Sequence, residues 1–176
     1  SEESSEFHEK WIVGYGHSSV AEHAILSIAI ENVSVLATKV LEDNRLASYT
    51  EKSTRYQVYQ KNDYYRPASI INSKFRELYI ETMDYLMNKY EELIDKMIEF
   101  LKTKYPNTDN SPEKVYVRRL KTRALDNIRY VLPVSLLTNL GMTINARSLE
   151  HCLVKLFSHP LNEMNDIGEE IKAASL

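Results

Sequence analysis

A long amphipathic segment between residues 72 and 104 limits the folds open to this chain more than any other feature. Its apolar residues recur at steps of three and four, in the series Phe75, Tyr79, Met83, Leu86, Tyr90, Leu93, Met97 and Leu101. That spacing places them on one face of a helix, while Glu and Asp pair with Lys on the other face. We therefore predict one long helix from Asn72 to Lys104, whose Met and Tyr stripe belongs to a core or a subunit interface.

Composition places this helix in a single globular domain, residues 1–176, and excludes several function classes. The chain is 43% hydrophobic and 27% charged, which suffices for a sizeable core. A net charge of −3 does not favour duplex nucleic acid or a membrane surface, and no apolar run is as long as a membrane span. The first residues lack the regions of a signal peptide. The single cysteine, Cys152, excludes an intrachain disulfide framework and indicates a reducing cytoplasm.

Helical and strand-like segments follow one another without strict alternation. The β-branched run from Ala24 to Val33 predicts a buried strand, and Ser34 is the expected N-cap of a short helix after it. The later segments are predicted as a loop from Pro106 to Pro112, a helix capped by Ser111 with Val115, Leu120, Ala124, Ile128 and Val131 inward, a strand from Leu136 to Ile144, and helices from Asn145 to Phe157 and Leu161 to Ala174. This order predicts an α+β fold with a small antiparallel sheet against long helices.

The densest set of polar groups lies between residues 41 and 59. Two guanidiniums and several hydroxyls alternate with aromatic rings there, at Arg45, Ser48, Tyr49, Thr50, Ser53, Arg55 and Tyr56. Arginine binds phosphate bidentately, Ser and Thr add donors, and Tyr offers a stacking face. The segment therefore predicts a site for a planar anion, although a solvated loop followed by an edge strand would have a similar composition.

A second polar cluster consists of His17, Glu22 and His23. Two histidines and a carboxylate can hold a metal ion, but their spacing does not put two ligands on one helix face. A capping and hydrogen-bonding cluster at the start of a strand is the favoured interpretation, and a metal hydrolase is a distant alternative.

The third cluster combines Arg129 with Asn145, Arg147 and His151. Arg129 lies near the end of its predicted helix, where a cation interacts well with the helix dipole. Asn145 and Arg147 lie at a strand-to-helix junction, where free N–H groups often contact anions. Each of these features alone is unspecific.

The three clusters together resemble the flavin-dependent thymidylate synthase family. The stretches that carry the resemblance are Gly16-His17-Ser18-Ser19 with Glu22-His23, Arg45-Leu-Ala-Ser48-Tyr-Thr50-Glu51-Lys-Ser53-Thr-Arg55-Tyr56, Arg129-Tyr-Val-Leu-Pro133, and Asn145-Ala-Arg147-Ser-Leu149. They come in the family's order at closely similar spacing, and they cover the chain from Tyr15 to the last helix. The family signature, Arg-His-Arg-x-x-Ser followed by Ser-x-Arg-Tyr, is specific enough to favour a binding segment over a solvated loop.

This resemblance implies a fold, a reaction and an assembly. It implies an α+β homotetramer that binds FAD and dUMP at subunit junctions. NADPH reduces the FAD, and methylene from methylene-tetrahydrofolate is delivered to C5 of dUMP to give dTMP, without a protein nucleophile. Cys152 agrees with the last point, since it falls on the apolar face of a predicted helix and is expected to be a small core residue.

The resemblance also implies roles for individual residues. Ser53 and Arg55 resemble the contacts to the phosphate and sugar of dUMP, and Glu51 lies beside both ligands. Arg129 resembles the arginine that meets the pyrimidine, where it would act catalytically by stabilising charge on a carbonyl oxygen. The residues that resemble the family's flavin contacts are Ser19, Arg45, Glu51, Asn145, Arg147 and His151.

The chain departs from the family at three places. Asp43-Asn44-Arg45 stands where the family has Arg-His-Arg, so two cations are missing and a carboxylate is added. Lys155 stands in the region of a nucleotide-binding arginine and lacks its bidentate fork. The strand that usually precedes the Gly-His motif is not recognisable. A relative that binds a nucleotide or acts as a partner subunit without synthase activity is therefore the alternative to an active synthase.

Overall fold

The computed structural model describes residues 18–108 and 111–175 of the chain. Within these ranges helices predominate over strands. In chain order the elements are a 3-10 helix (Ser18–His23), β1 (Ile25–Ser34), α1 (Val35–Glu42), β2 (Ala47–Glu51), α2 (Ala68–Ile71), α3 (Arg76–Lys104), α4 (Glu113–Ile128), a second 3-10 helix (Arg129–Val131), β3 (Leu137–Asn145), α5 (Ala146–Phe157) and α6 (Asn162–Ala174). They form two compact units, which divide after Glu51 and after Leu137.

The predicted α+β class and the small antiparallel sheet are confirmed. The three strands form one sheet in the order β1-β3-β2. Strand β2 runs antiparallel to β3, with Ala47 opposite Ile144 and Glu51 opposite Leu140. Successive side chains of β3 point to opposite faces of the sheet, so its even-numbered residues from Thr138 to Ile144 are buried while the odd-numbered ones are exposed or half-buried.

Strand β1 confirms the strand predicted for Ala24 to Val33, but its predicted burial is wrong. It is an edge strand, in which Ile25 is 63% exposed and only Ile30, Val33 and Ser34 are buried. β-Branched residues favour a strand whether one face or both are covered, so composition could not predict this. Near its end Asn32 has a φ of 58°, and its N–H donates to Oδ1 of Asn139 at 3.0 Å.

Helices α1, α5 and α6 cover the buried face of the sheet in the first unit. Their shared core contains Leu41, Met142, Cys152, Leu156 and Met164, among others. The predicted helix from Asn145 to Phe157 is confirmed, with Asn145 as its N-cap. The last predicted helix is confirmed too and begins at Asn162.

The start of α1 is fastened to α6 by a buried carboxylate. Ser34 is the N-cap, as predicted, because its Oγ accepts the N–H of Ala37 at 3.0 Å. The N–H and Oγ of Ser34 in turn donate to the two carboxylate oxygens of Glu163, at 2.7 Å each. Glu163 thus satisfies two buried donors at once.

In the second unit, α3 and α4 pack side by side around Leu101, Leu120 and Ala124. The long predicted helix is confirmed as α3, although it begins at Arg76, since Asn72 ends the short helix α2. The loop predicted after it is confirmed in its described part. None of the helices within the described ranges combines the length and the apolar composition needed to cross a membrane.

The predicted N-cap of α4 is wrong by one residue. Pro112 has an extended ψ of 134° and is itself the last non-helical residue before Glu113. The Oγ of Ser111 instead accepts a hydrogen bond from Nη2 of Arg119 at 2.7 Å. Leu120, Ala124 and Ile128 are buried as predicted, but Val115 is exposed because the stripe that packs on α3 runs from Ala124 and Leu120 to Tyr116 instead.

Replacing Glu163 with Ala should destabilise the fold, since two buried donors of Ser34 lose their acceptor. We expect a loss of roughly 2–4 kcal/mol in the free energy of unfolding. Glu163→Gln keeps one acceptor and should lose less. Urea unfolding measures the effect, with exposed Glu169→Ala on the same helix as the control. Equal midpoints for Glu163→Ala and the control would contradict this role.

Candidate functional site

Ser53 and Arg55 lie in a turn of the second unit, directly after strand β2. The carbonyl oxygen of Ser53 accepts the N–H groups of Tyr56 and Gln57 at 3.3 and 3.2 Å, and its Oγ accepts the N–H of Arg55 at 3.3 Å. Hydrogen bonds in which a serine accepts the N–H groups of the residues that follow it are typical of turns. They fix the direction in which the Arg55 side chain leaves the backbone.

Arg55 and Arg129 converge on one carboxylate, although they are far apart in sequence. Nε of Arg55 lies 3.0 Å from Oδ1 of Asp126, and Nε of Arg129 lies 3.5 Å from the same oxygen. Two guanidiniums share one negative charge, so the group has a net positive charge. Asp126 was not predicted as a site residue; its only sequence signal is its position three residues before Arg129 on a helix.

Arg129 has a donor that its surroundings do not use. Its Nε is buried and makes no hydrogen bond within the described part of the chain, because the 3.5 Å contact to Asp126 is an ion pair only. Its guanidinium lies 5.2 Å from the ring centroid of exposed Tyr130, whose hydroxyl contact raises the pKa of Arg129. A buried N–H without a partner is costly. An acceptor on a ligand would remove that cost.

The first unit gathers another set of predicted residues around the start of α5. Arg147 forms an ion pair with Glu22 of the 3-10 helix that packs against α5. Asn145 caps α5, with its Oδ1 accepting the N–H of Ser148 at 2.8 Å. His151 lies one turn after Arg147 and is exposed, and so is Ser19 in the 3-10 helix. The structure thus brings Arg147, Asn145 and His151 to one end of a helix.

Arg45 and Glu51 lie near the two ends of strand β2. Arg45 is exposed just after α1, while Glu51 ends the strand and is half-buried. The carboxylate of Glu51 accepts a hydrogen bond from Oγ1 of Thr38 at 3.0 Å. Glu51 is thereby held against α1.

The residues that replace the family's first two signature cations play different structural roles. Asp43 forms an ion pair of 2.8 Å with Lys155, which holds the pKa of the Asp43 carboxyl below its usual range. Asn44 is only 8% exposed. Its Nδ2 donates to the carbonyl of Leu41 at 2.8 Å, and the hydroxyl of Tyr49 lies 2.8 and 3.0 Å from the backbone carbonyls of Leu41 and Asn44. Lys155 offsets the added charge, and Asn44 stabilises the chain reversal after α1.

Cys152 is buried in the core of the first unit, as the sequence predicted. Burial raises the pKa of its thiol, so the thiolate is disfavoured. The geometry offers no activated cysteine nucleophile at this position.

One member of the second predicted cluster, His17, lies outside the described residues. Gly16 and the segment before it lie outside them as well. Glu22 binds Arg147, and His23 is exposed. Among the residues that the structure describes, no three His, Cys, Asp or Glu side chains are grouped closely enough to hold a metal ion.

Comparison with known proteins shows which family these features belong to. The family model of the thymidylate synthase complementing protein matches residues 1–174. A UPF0159 protein of Chlamydia pneumoniae is 35% identical over 175 residues, which cover 96% of this chain and 33% of that protein. A flavin-dependent thymidylate synthase of Thermococcus onnurineus is 32% identical, covering 86% of this chain and 54% of that enzyme. The chain thus spans about a third of the length of such UPF0159 proteins.

A solved structure agrees with this family at the level of the fold. Thymidylate synthase X from Helicobacter pylori, determined with FAD and dUMP, matches with a TM-score of 0.60 and 22% identity. The match covers 94% of this chain and 74% of that one. The resemblance seen in the motifs is confirmed, and the chain belongs to the thymidylate synthase complementing protein family, that of the flavin-dependent thymidylate synthases.

Proposed function

We propose that this chain is a single domain, residues 1–176, of a flavin-dependent thymidylate synthase that converts dUMP to dTMP. The reaction would use FAD, NADPH and methylene-tetrahydrofolate. The observation that carries the proposal is the convergence of Arg55 and Arg129 on Asp126. This convergence provides a cationic site at residues whose motifs resemble the family's nucleotide site, in a chain that belongs to that family.

The nucleotide would be held in the second unit. Ser53 and Arg55 would bind the phosphate and sugar of dUMP, since a phosphate can share the Arg55 guanidinium with Asp126. Arg129 would meet the pyrimidine, where its partly exposed guanidinium can donate to a carbonyl oxygen that gains negative charge. Because both arginines already rest on Asp126, their positions are fixed before a ligand arrives, which favours binding.

The residues of the first unit fit an anionic cofactor. Arg45, Arg147 and Lys155 are the cations of this region, and Arg147 and Lys155 form ion pairs with the carboxylates of Glu22 and Asp43. The flavin contacts that we propose are Ser19, Arg45, Glu51, Asn145, Arg147 and His151. FAD, when bound, would supply the redox step. The protein's part is to bind its phosphates with these cations and to orient it.

We also propose that the domain works as a homo-oligomer, a tetramer by resemblance. Support comes from large apolar side chains that α3 leaves exposed, namely Leu78, Tyr85 and Phe100. Exposed apolar surface of this kind marks sites of protein association.

A second candidate is a nucleotide-binding relative that lacks synthase activity. The burial of Asn44 favours it, because a side chain that is bonded to the carbonyl of Leu41 is not available to a cofactor. Asp43 engages Lys155 in an ion pair, so this lysine is not free to bind a cofactor phosphate. In this case the Arg55–Arg129 pair would still bind the nucleotide, but FAD would not bind.

The first test is dTMP formation by purified protein with dUMP, FAD, NADPH and methylene-tetrahydrofolate. Arg129→Ala should lower kcat/KM by roughly 100-fold or more, because one oriented donor to a developing oxyanion is lost. Arg76→Ala, which removes an exposed arginine from the start of α3, is the matched control. Activity that survives in Arg129→Ala contradicts its catalytic role. No dTMP with the unaltered protein, together with dUMP binding, supports the second candidate.

A second test asks whether the Asp43–Lys155 pair lies in the FAD site of a protein that binds FAD. Lys155→Ala leaves the Asp43 carboxylate unneutralised, and we expect roughly five- to tenfold weaker FAD binding, followed by flavin absorbance. The double variant Lys155→Ala/Asp43→Asn should restore the affinity, because the repulsive charge is gone. Exposed Lys172→Ala on α6 is the control. Equal affinity for Lys155→Ala and the control would show that this pair lies outside the FAD site.

The buried thiol gives a third test. Cys152→Ala should keep kcat within about twofold, because a thiol whose pKa is raised by burial is a poor nucleophile. Stability should fall by about 1 kcal/mol for the lost core contacts. Steady-state kinetics and urea unfolding measure the two effects. Complete loss of activity in a folded Cys152→Ala protein would contradict a mechanism without a cysteine nucleophile.

A further inference from the structure

Tyr130 carries an aromatic ring that the fold leaves in solvent. It lies in the second 3-10 helix, between Arg129 and Val131, and it is 80% exposed. No other large apolar or aromatic residue in the described part of the chain has so large an exposed fraction. An aromatic residue stabilises a fold mainly by burying its ring, and this ring is hardly buried. The core of the second unit therefore does not explain a tyrosine at this position.

Two contacts link Tyr130 to its neighbour Arg129. The hydroxyl of Tyr130 lies 3.5 Å from Nη2 of Arg129, and the guanidinium carbon lies 5.2 Å from the ring centroid. The second distance is within the range of a cation–π interaction. Residues that are adjacent on a helix do not normally face each other. Both side chains must therefore turn toward one another, so their contact does not follow from their position in the sequence alone.

Tyr130 and Asp126 contact the guanidinium of Arg129 at two different atoms. The carboxylate of Asp126 lies 3.5 Å from Nε, close to the side-chain stem, whereas Tyr130 contacts Nη2 at the far end. Nε lies on the Cδ–Nε axis, so a contact at Nε alone leaves the planar guanidinium free to rotate about that bond. The contact with Tyr130 is off this axis. It therefore sets the direction in which the outer N–H groups point.

We propose that Tyr130 is a positioning residue for Arg129, an inference that rests on the function proposed above for this arginine. The hydroxyl oxygen of Tyr130 accepts an N–H of Nη2, and the ring face opposes rotation of the guanidinium. The other outer N–H groups then keep a fixed direction, in which they can donate to the carbonyl oxygen of a pyrimidine. A misplacement of about 1 Å at such a group can cost about 100-fold in rate. Tyr130 acts through Arg129 and not on the nucleotide itself.

The hold of Tyr130 on Arg129 can be measured without any ligand. Because Nε of Arg129 is buried, its proton exchanges slowly with water and gives an NMR signal in isotope-labelled protein. The signal is identified by its loss in Arg129→Lys. Tyr130→Ala should speed this exchange roughly fivefold or more, since the guanidinium turns more freely, and Tyr130→Phe should speed it less. An unchanged exchange rate in Tyr130→Ala overturns the proposal.

The matched control is Tyr105→Ala. It removes a ring that lies 4.3 Å from the guanidinium of another arginine of α4, Arg123, and it should leave the Arg129 signal unchanged. Urea unfolding separates positioning from stability. Because Tyr130 is so exposed, Tyr130→Ala should have nearly the same unfolding midpoint as the unaltered protein. A large fall in that midpoint would show a structural role for Tyr130 and overturn the proposal.

Steady-state kinetics give the second arm of the test. Tyr130→Ala should lower kcat roughly tenfold and change the KM for dUMP by less than about threefold, because Arg129 is misdirected and not lost. Tyr130→Phe should have an intermediate kcat. An equal fall of kcat in Tyr105→Ala, or a raised KM with unchanged kcat in Tyr130→Ala, overturns the proposal. If the unaltered protein forms no dTMP, the proposed function fails, and the exchange rate of the Arg129 proton alone decides whether Tyr130 positions this side chain.

Discussion

In the second unit one carboxylate, Asp126, contacts two arginines. Guanidiniums repel each other at short range, and the negative charge of Asp126 offsets this repulsion between Arg55 and Arg129. One carboxylate neutralises one cation, and the second remains unbalanced. The same contact therefore ties the turn after β2 to the end of α4 and leaves the positive charge that an anion would use.

In the first unit, by contrast, each of two cations has its own carboxylate partner. Arg147 forms an ion pair with Glu22, and Lys155 forms one with Asp43. Exposed pairs of this kind are weak and exchange partners at little cost. Asp43, which stands where the family has an arginine, is thus neutralised by Lys155 on α5. The neighbouring Asn44 supplies a hydrogen bond that stabilises the chain reversal after α1.

Local features of the structure could be predicted from the sequence, and long-range ones could not. The period of apolar residues predicted α3 and α5, and a serine before a helical run predicted the Ser34 cap, because both depend on neighbours in the chain. The burial of β1 and of Val115 depends on which element lies opposite. Glu163, the Asp43–Lys155 pair and the contact of Asp126 with Arg55 depend on partners that only the fold brings close, so no spacing could reveal them.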